Sequence, residues 1–454
     1  MITDKVLKTI RDYSFEVHCP KVKIYQKEGI VLEGYGIIKI NDYGVFYLEF
    51  ICLKKPNIPH IKWSMNIPND PLDESQKLYL EAFSIDGMVF EAENFSIELH
   101  AMFLHKSSVH HIVLDKITIT ESSKNPIDFF YIEFNQTINI PRNKNNSVVS
   151  TLGKKSFAWN ESIIDFEDEN LKIRIVDDHG TNGFISIEGC TNPEVMLDCL
   201  TFYLGFCSGI LLQPYYSKYI HSNYEVTTFH STNKLYLQKS YAPAIASNLS
   251  NQEFLDGEYH FKILKNSIRL YTKAPKHFHS IYAQWKRVWL ASKSEQDITN
   301  LALTTAIEGL LNDIFIPIFK RTNKDEVLEH DIKEIKKIIK NLDIEALYKE
   351  RLQNSISYLK TITPNKALAQ LVEIEVLSKD EIEAWKNLRN EVAHPKVKST
   401  ALSSKYEEKE KFIFCLNLFN SLILQVLNYS GPRNYFNPIR DAQILLFSSK
   451  RLDE

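Results

Sequence analysis

The 454-residue sequence predicts an α+β multidomain protein: a β-rich N-terminal region with one buried helix, followed by an all-α helical bundle. Three observations carry this. Runs of β-branched and aromatic residues bounded by turn signals fill residues 30–140 and recur from 171. One apolar stretch, 193–212, opens with Asn192 and Pro193, a helix cap and a first-turn proline. After about residue 276 the apolar period changes from near two to near 3.6 and stays there.

The β-rich region spans 1–275. Segments 30–40 and 45–53 flank Asn41-Asp42-Tyr43-Gly44 and form a hairpin. A second hairpin turns at Asp86-Gly87, between 78–85 and 88–93, and strands follow at 95–104, 112–120 and 129–140. Pro56, Pro59, Pro68 and Pro71 mark the connection between the two hairpins. The polar, basic segment 142–146 divides the region into two candidate subdomains, about 1–145 and 146–275. Past it, a hairpin of 171–176 and 184–188 leads into the buried helix, and short strands run to about 262. The helical domain, 276–454, is expected to hold helices at 278–292, 301–315 (Asp297 its candidate cap), 324–341, 344–362, 365–377, 380–394 and 406–427. Gly431-Pro432 then stops the chain of helices.

Composition excludes several classes. A net charge of -3 supplies no global field toward nucleic acid or anionic membrane, so any RNA contact needs a local basic patch. Only 14 glycines argue against a Gly-rich nucleotide cradle. The six cysteines contain no C-x-x-C pair, which favours a reducing compartment. No apolar segment follows Met1-Ile2-Thr3-Asp4-Lys5, and the apolar run 199–212 is too short for a bilayer, so a cytoplasmic location without membrane attachment is expected. His100, His105, His110 and His111 match no zinc spacing, and neither metal nor cofactor is expected. Gly205-Phe206-Cys207-Ser208-Gly209 has the outline of a nucleophile elbow but lies in the buried helix, where packing explains it.

The stretch with chemical content is Leu388-Arg389-Asn390-Glu391-Val392-Ala393-His394-Pro395. It closes an amphipathic pattern of Ile382, Trp385, Leu388 and Val392, and Pro395 disfavours helix at His394. Asn390 and His394 are four apart and share a face, with Arg389 pointing partly away. A permanent cation and an imidazole that titrates near neutrality thus meet at one helix end, a pairing suited to phosphodiester chemistry. Spacing alone is unspecific, because Arg11/His18 and Arg174/His179 in the β-rich region fit it too. The plain alternative is a surface arginine paired with Glu383 or Glu391 at a frayed helix end.

With its polar residue after the arginine, its helical setting and the earlier Ala306-Ile307-Glu308-Gly309-Leu310-Leu311, this block resembles a HEPN domain, whose signature is R-x4–6-H. The β-rich region ahead of it is similar to the arrangement of ApeA-like anti-phage defence proteins, and Glu33-Gly34-Tyr35-Gly36 fits loosely. The resemblance implies a metal-independent endoribonuclease acting on cellular RNA, tRNA or mRNA, in abortive infection. It implies His394 as general acid or base, Arg389 as the phosphorane stabiliser, Asn390 as an orienting group, and a homodimer through the helical domain. It also implies restraint by the N-terminal region, with a phage protein as the trigger. The alternative is a non-catalytic scaffold that dimerises or binds RNA or protein.

Three weaker candidates accompany the motif. Glu308 faces either the Arg389 guanidinium or solvent. Lys333, Lys336, Lys337 and Lys340 form a cationic stripe opposite Ile332, Ile335, Ile338 and Ile339: an RNA track or, more ordinarily, a solvated face. Arg433 and Arg440, near Tyr429, Tyr435 and Phe436, would clamp RNA or seal the bundle end.

Overall fold

The computed structural model describes residues 4–53, 64–70, 73–100, 109–123, 127–138, 140–149, 156–166, 170–177, 183–237, 240–245, 258–322, 326–357, 361–393, 402–438 and 442–452. The chain forms a β-sheet unit followed by a helical unit, so the α+β two-part architecture holds. The first unit comprises essentially residues 1–257, and the second holds 258–454 together with Phe206–Ser208 and Tyr241–Phe254.

The first unit is built on one 14-stranded sheet whose paired neighbours are all antiparallel. Across it run Lys144–Val149, Ser156–Phe166, Leu171–Asp177, Gly183–Glu188, Phe129–Phe134, Pro214–His221, Tyr224–His230, Lys116–Ser122, Val89–Glu93, Tyr79–Phe83, Glu16–Tyr25, Val31–Ile40, Phe46–Cys52 and Val109–Leu114. Alternating burial along strands such as Phe46–Cys52 and Tyr79–Phe83 is the mark of a sheet with one covered face. Phe15 touches Phe46 at 5.7 Å, Phe90 at 6.5 Å and Phe229 at 6.2 Å between ring centroids. Those partners sit on strands four to six places from Phe46's strand, which in a flat sheet means about 20–30 Å. The sheet therefore curls back on itself. Ser231 closes the curl by accepting from the Phe46 amide (2.7 Å) and donating to the Leu114 carbonyl (2.6 Å).

The curl corrects two expectations. The segment 112–120 is two strands, broken at Asp115, because the chain there turns from the last strand of the sheet to one inside it. The two candidate subdomains do not exist as such, since Phe129–Phe134 pairs with Gly183–Glu188 on one side and Pro214–His221 on the other. Both hairpins are present, with Gly44 at φ +86° and Gly87 at φ +83° in their turns. At Gly34 a Cβ would lie 1.9 Å from the Ile51 carbonyl oxygen, so this strand crossing admits glycine alone. The buried helix is Pro193–Ser208: the Asn192 side chain caps it by accepting from the Val195 amide (3.2 Å), and Gly209 ends it at φ +74°. His110 and His111 are neighbours on one strand and point to opposite faces, against Phe50 and Tyr47; His105 lies outside the described residues.

One buried group of this sheet predicts a pH response. His230 Nε2 lies 2.8 Å from the Ser217 hydroxyl, and burial, helped by Lys116, pushes its pKa down to about 4. Unfolded, it would titrate near 6.5, so the unfolded chain takes up the proton first as pH falls. Stability is lost from about pH 6.5 down to about pH 4, by roughly 2–3 kcal/mol for this group. Urea unfolding at pH 7 and pH 4.5 measures it. His230→Gln should flatten that slope, and equal slopes in the two proteins would contradict the assignment.

In the second unit the boundary moves. Helix Glu258–Lys273 belongs here, not to the β-rich region ending at 275. Its Ile and Tyr residues look strand-forming, but its buried set of His260, Phe261, Ile263, Leu264, Ser267 and Ile268 has helical spacing. Helices Pro275–Ala291, Gln296–Leu310, Ile316–Thr322, Glu326–Asn341, Ala346–Ser357, Pro364–Glu373, Lys379–Ala393 and Leu402–Val426 follow; all but Ile316–Thr322, which falls between two expected helices, lie close to an expected position. Glu295 stands in the cap position of the helix at 296 without a side-chain cap bond, Asp297 lies inside the first turn, and a π turn, Leu311–Phe315, joins this helix to the next. A hairpin, Ser430–Tyr435 with Gln443–Ser448, completes the unit and was not expected. The run Gln296–Arg321 is long and apolar enough to cross a bilayer by length and composition alone, yet half of its apolar window is buried in the unit.

Candidate functional site

The site is built on helices Gln296–Leu310 and Lys379–Ala393. Ser378 and Glu381 start the second of these as a reciprocal capping box: the Glu381 carboxylate accepts from the Ser378 amide (2.8 Å), and the Ser378 hydroxyl from the Glu381 amide (3.2 Å). Ile382, Trp385 and Leu388 then turn inward at helical spacing. Trp385, 2% exposed, donates its indole N–H to the Thr304 carbonyl on the neighbouring helix at 3.3 Å.

One turn further along both helices, Arg389 meets Glu308. Arg389 Nε lies 2.9 Å from Oε2 and its terminal nitrogen 3.1 Å from Oε1, a two-pronged pair. The Arg389 guanidinium carbon also sits 5.7 Å from the Trp385 ring centroid. Helix-to-helix packing and two hydrogen bonds thus hold the cation in one orientation. Of its five N–H groups two are engaged, and none of the described residues engages the other three. The pair is accessible, with side chains 47% and 31% exposed, so an incoming anion can reach it.

The expected partners divide. Glu308 and Arg389 come together, which overturns the pairing of Arg389 with Glu383 or Glu391; Glu391 pairs instead with Lys411 at 2.5 Å. Asn390 is exposed beside Arg389, and no hydrogen-bond partner is present among the described residues. His394 lies outside the described residues, immediately after the last helical residue, Ala393.

Arg433 is not an RNA clamp. It is 8% exposed, donates to the Ser421 hydroxyl, and stacks near Tyr435 (5.3 Å) and Phe447 (5.1 Å). Burial lowers its pKa against the pull of nearby Glu381, while burial raises that of Glu381. These groups seal the helical unit from within. The lysine stripe lies on Glu326–Asn341, a helix packed chiefly against Ala346–Ser357. Lys333, Lys337 and Lys340 face solvent, but Glu334 neutralises Lys337 at 2.6 Å. Ile332 and Ile339 are buried as expected; Ile335 and Ile338 are exposed, because only the seven-residue step of the first two faces the core.

Sequence reasoning missed two contributors. The Trp385–Thr304 brace was legible only as an aromatic four residues ahead of Arg389, hence on its face. The π turn that begins at Leu311, three residues after Glu308, carries no sequence signal; such turns recur beside functional sites. Comparison with protein-family models, curated proteins and solved structures gives no significant match.

Proposed function

We propose that this chain is a metal-independent endoribonuclease of HEPN type that cuts cellular RNA, tRNA or mRNA, in the cytoplasm during anti-phage abortive infection. The observation that carries the reading is the Arg389 fork: a permanent cation, oriented by Glu308 and Trp385, with N–H groups unused among the described residues, five residues before His394 in sequence.

In this reading the RNA 2′-hydroxyl attacks the adjacent phosphorus, and His394 takes its proton as general base. The free N–H groups of Arg389 meet the charge that grows on the phosphorane oxygens. The P–O5′ bond breaks, a protonated imidazole returns the proton to the leaving oxygen, and the products are a 2′,3′-cyclic phosphate and a 5′-hydroxyl. In the same reading Asn390 orients the imidazole or contacts the phosphate. Ile298 (51% exposed) and Leu301 (53%) share the helix face of Glu308, and a second copy covering them would bring two such sites side by side. The β-sheet unit is the element that restrains the activity until a phage protein binds.

The alternative, a non-catalytic scaffold, draws on the same pair, because Glu308 neutralises the cation that RNA would meet. End analysis separates the two. Full-length protein incubated with total RNA in EDTA should release fragments with cyclic-phosphate and 5′-hydroxyl ends. Intact RNA, or cleavage that EDTA abolishes, would refute the proposal.

A further inference from the structure

The sheet unit contains a cavity of about 670 Å³ that the ribonuclease reading does not use, a size ordinary for small-molecule sites. Tyr13, Lys234, Asn135 and Thr137 border it, with Ile210 and Leu237 as apolar wall. Gln136 forms a fixed part of the lining: its amide donates to the Leu211 carbonyl (2.9 Å) and its oxygen accepts from the Gln213 amide (2.7 Å).

The wall is held in place from several directions. Tyr13 closes the end of helix Asp4–Arg11 at φ +53°, a left-handed position that glycine or asparagine normally fills, at a cost of about 1 kcal/mol. Two residues earlier Arg11 bonds Tyr215 (2.7 Å) and Glu133 (2.9 Å), so the segments leading to both Tyr13 and Asn135 are tied to one node. The Lys234 backbone amide donates to the Tyr43 carbonyl (3.1 Å), and its ammonium lies 5.2 Å from the Tyr13 ring centroid. Among the described residues no carboxylate pairs with Lys234, and none lines the cavity. The Asn135 amide and Thr137 hydroxyl likewise find no side-chain partner among the described residues.

An uncompensated ammonium selects an anion, a tyrosine beside it offers a ring to stack on, and a free amide and hydroxyl can read polar edges. We propose that this cavity binds a small organic anion bearing a planar ring, of the mononucleotide class. Lys234 takes the phosphate, Tyr13 the ring, and Asn135 and Thr137 the edge of the base or sugar. The assignment stands apart from the ribonuclease reading.

Isothermal titration of the full chain with AMP, GMP, CMP and UMP tests it, with the matching nucleoside and inorganic phosphate as the two halves of each ligand. At least one nucleotide should bind at least tenfold more tightly than either half. Lys234→Glu should weaken that nucleotide at least tenfold and leave its nucleoside unaffected. Tyr13→Asn keeps a residue suited to the left-handed turn while removing the ring, and should weaken the nucleotide and its nucleoside alike. The proposal is overturned if none of the four nucleotides binds at about 1 mM. It is equally overturned if phosphate alone binds as tightly as the nucleotide, or if Lys234→Glu, folded as judged by its Tm, binds unchanged.

Discussion

Under the proposed ribonuclease activity, Arg389→Ala is expected to lower RNA cleavage by the full chain about 10²–10³-fold, the usual cost of removing one preorganised donor from a developing oxyanion. Its effect on stability is small by comparison. The Arg389–Glu308 pair is exposed, and such pairs contribute roughly 0–1 kcal/mol, so Tm should move by no more than about 2–4 °C. Arg389→Lys restores the charge without the planar fork and should recover little activity. Glu308→Gln keeps the side chain's shape but loses the charge that draws Nε and the terminal nitrogen into register. It should lower kcat at least about tenfold with KM nearly unchanged, as expected of a positioning residue. In phage-challenged cells, protection should vanish with Arg389→Ala. Undiminished protection, with unchanged folding, would favour the scaffold instead.

What could be read from the sequence follows the range of the physical signal. Local signals served well: Asn192-Pro193 opened a helix, Asn41-Asp42-Tyr43-Gly44 and Asp86-Gly87 turned hairpins, and the 3.6 period located most helices after 276. Glu308 facing Arg389 was one of two open readings, and the fork decides it. The misses are long-range. The break at Asp115 and the absence of separate subdomains both arise from the sheet's curl, which local alternation does not encode. The expected strands run on to about 262, into the start of helix Glu258–Lys273, and the β-rich region takes in the rest of it, because β-branched and aromatic residues outweigh a short helical period. The Ser378/Glu381 capping box was legible as S-x-x-E and went unread. Arg433 sat among aromatics as an RNA clamp would, and only its burial shows that those rings enclose it.

The largest stability effect in the helical unit is expected at Trp385, beneath the proposed site. Truncating it to alanine removes a fully buried indole, its bond to the Thr304 carbonyl and the surface on which the Arg389 guanidinium rests. Large aromatic-to-alanine changes cost about 3–5 kcal/mol, which for a unit of this size lowers Tm by roughly 10 °C. Trp385→Phe keeps most of the apolar contact and gives up the N–H donor, so about 1–2 kcal/mol is lost, part of it from the orphaned carbonyl. The two variants separate support from chemistry. Below its melting temperature, Trp385→Phe should cleave RNA with a modestly reduced kcat, because Glu308 still grips Arg389 from the side. Trp385→Ala should lose both stability and cleavage. Calorimetry of the two proteins provides the check. An unfolding transition left unmoved by Trp385→Ala would mean that the helix bearing Arg389 is not anchored through this indole, and the orientation argued for the guanidinium would lose its basis.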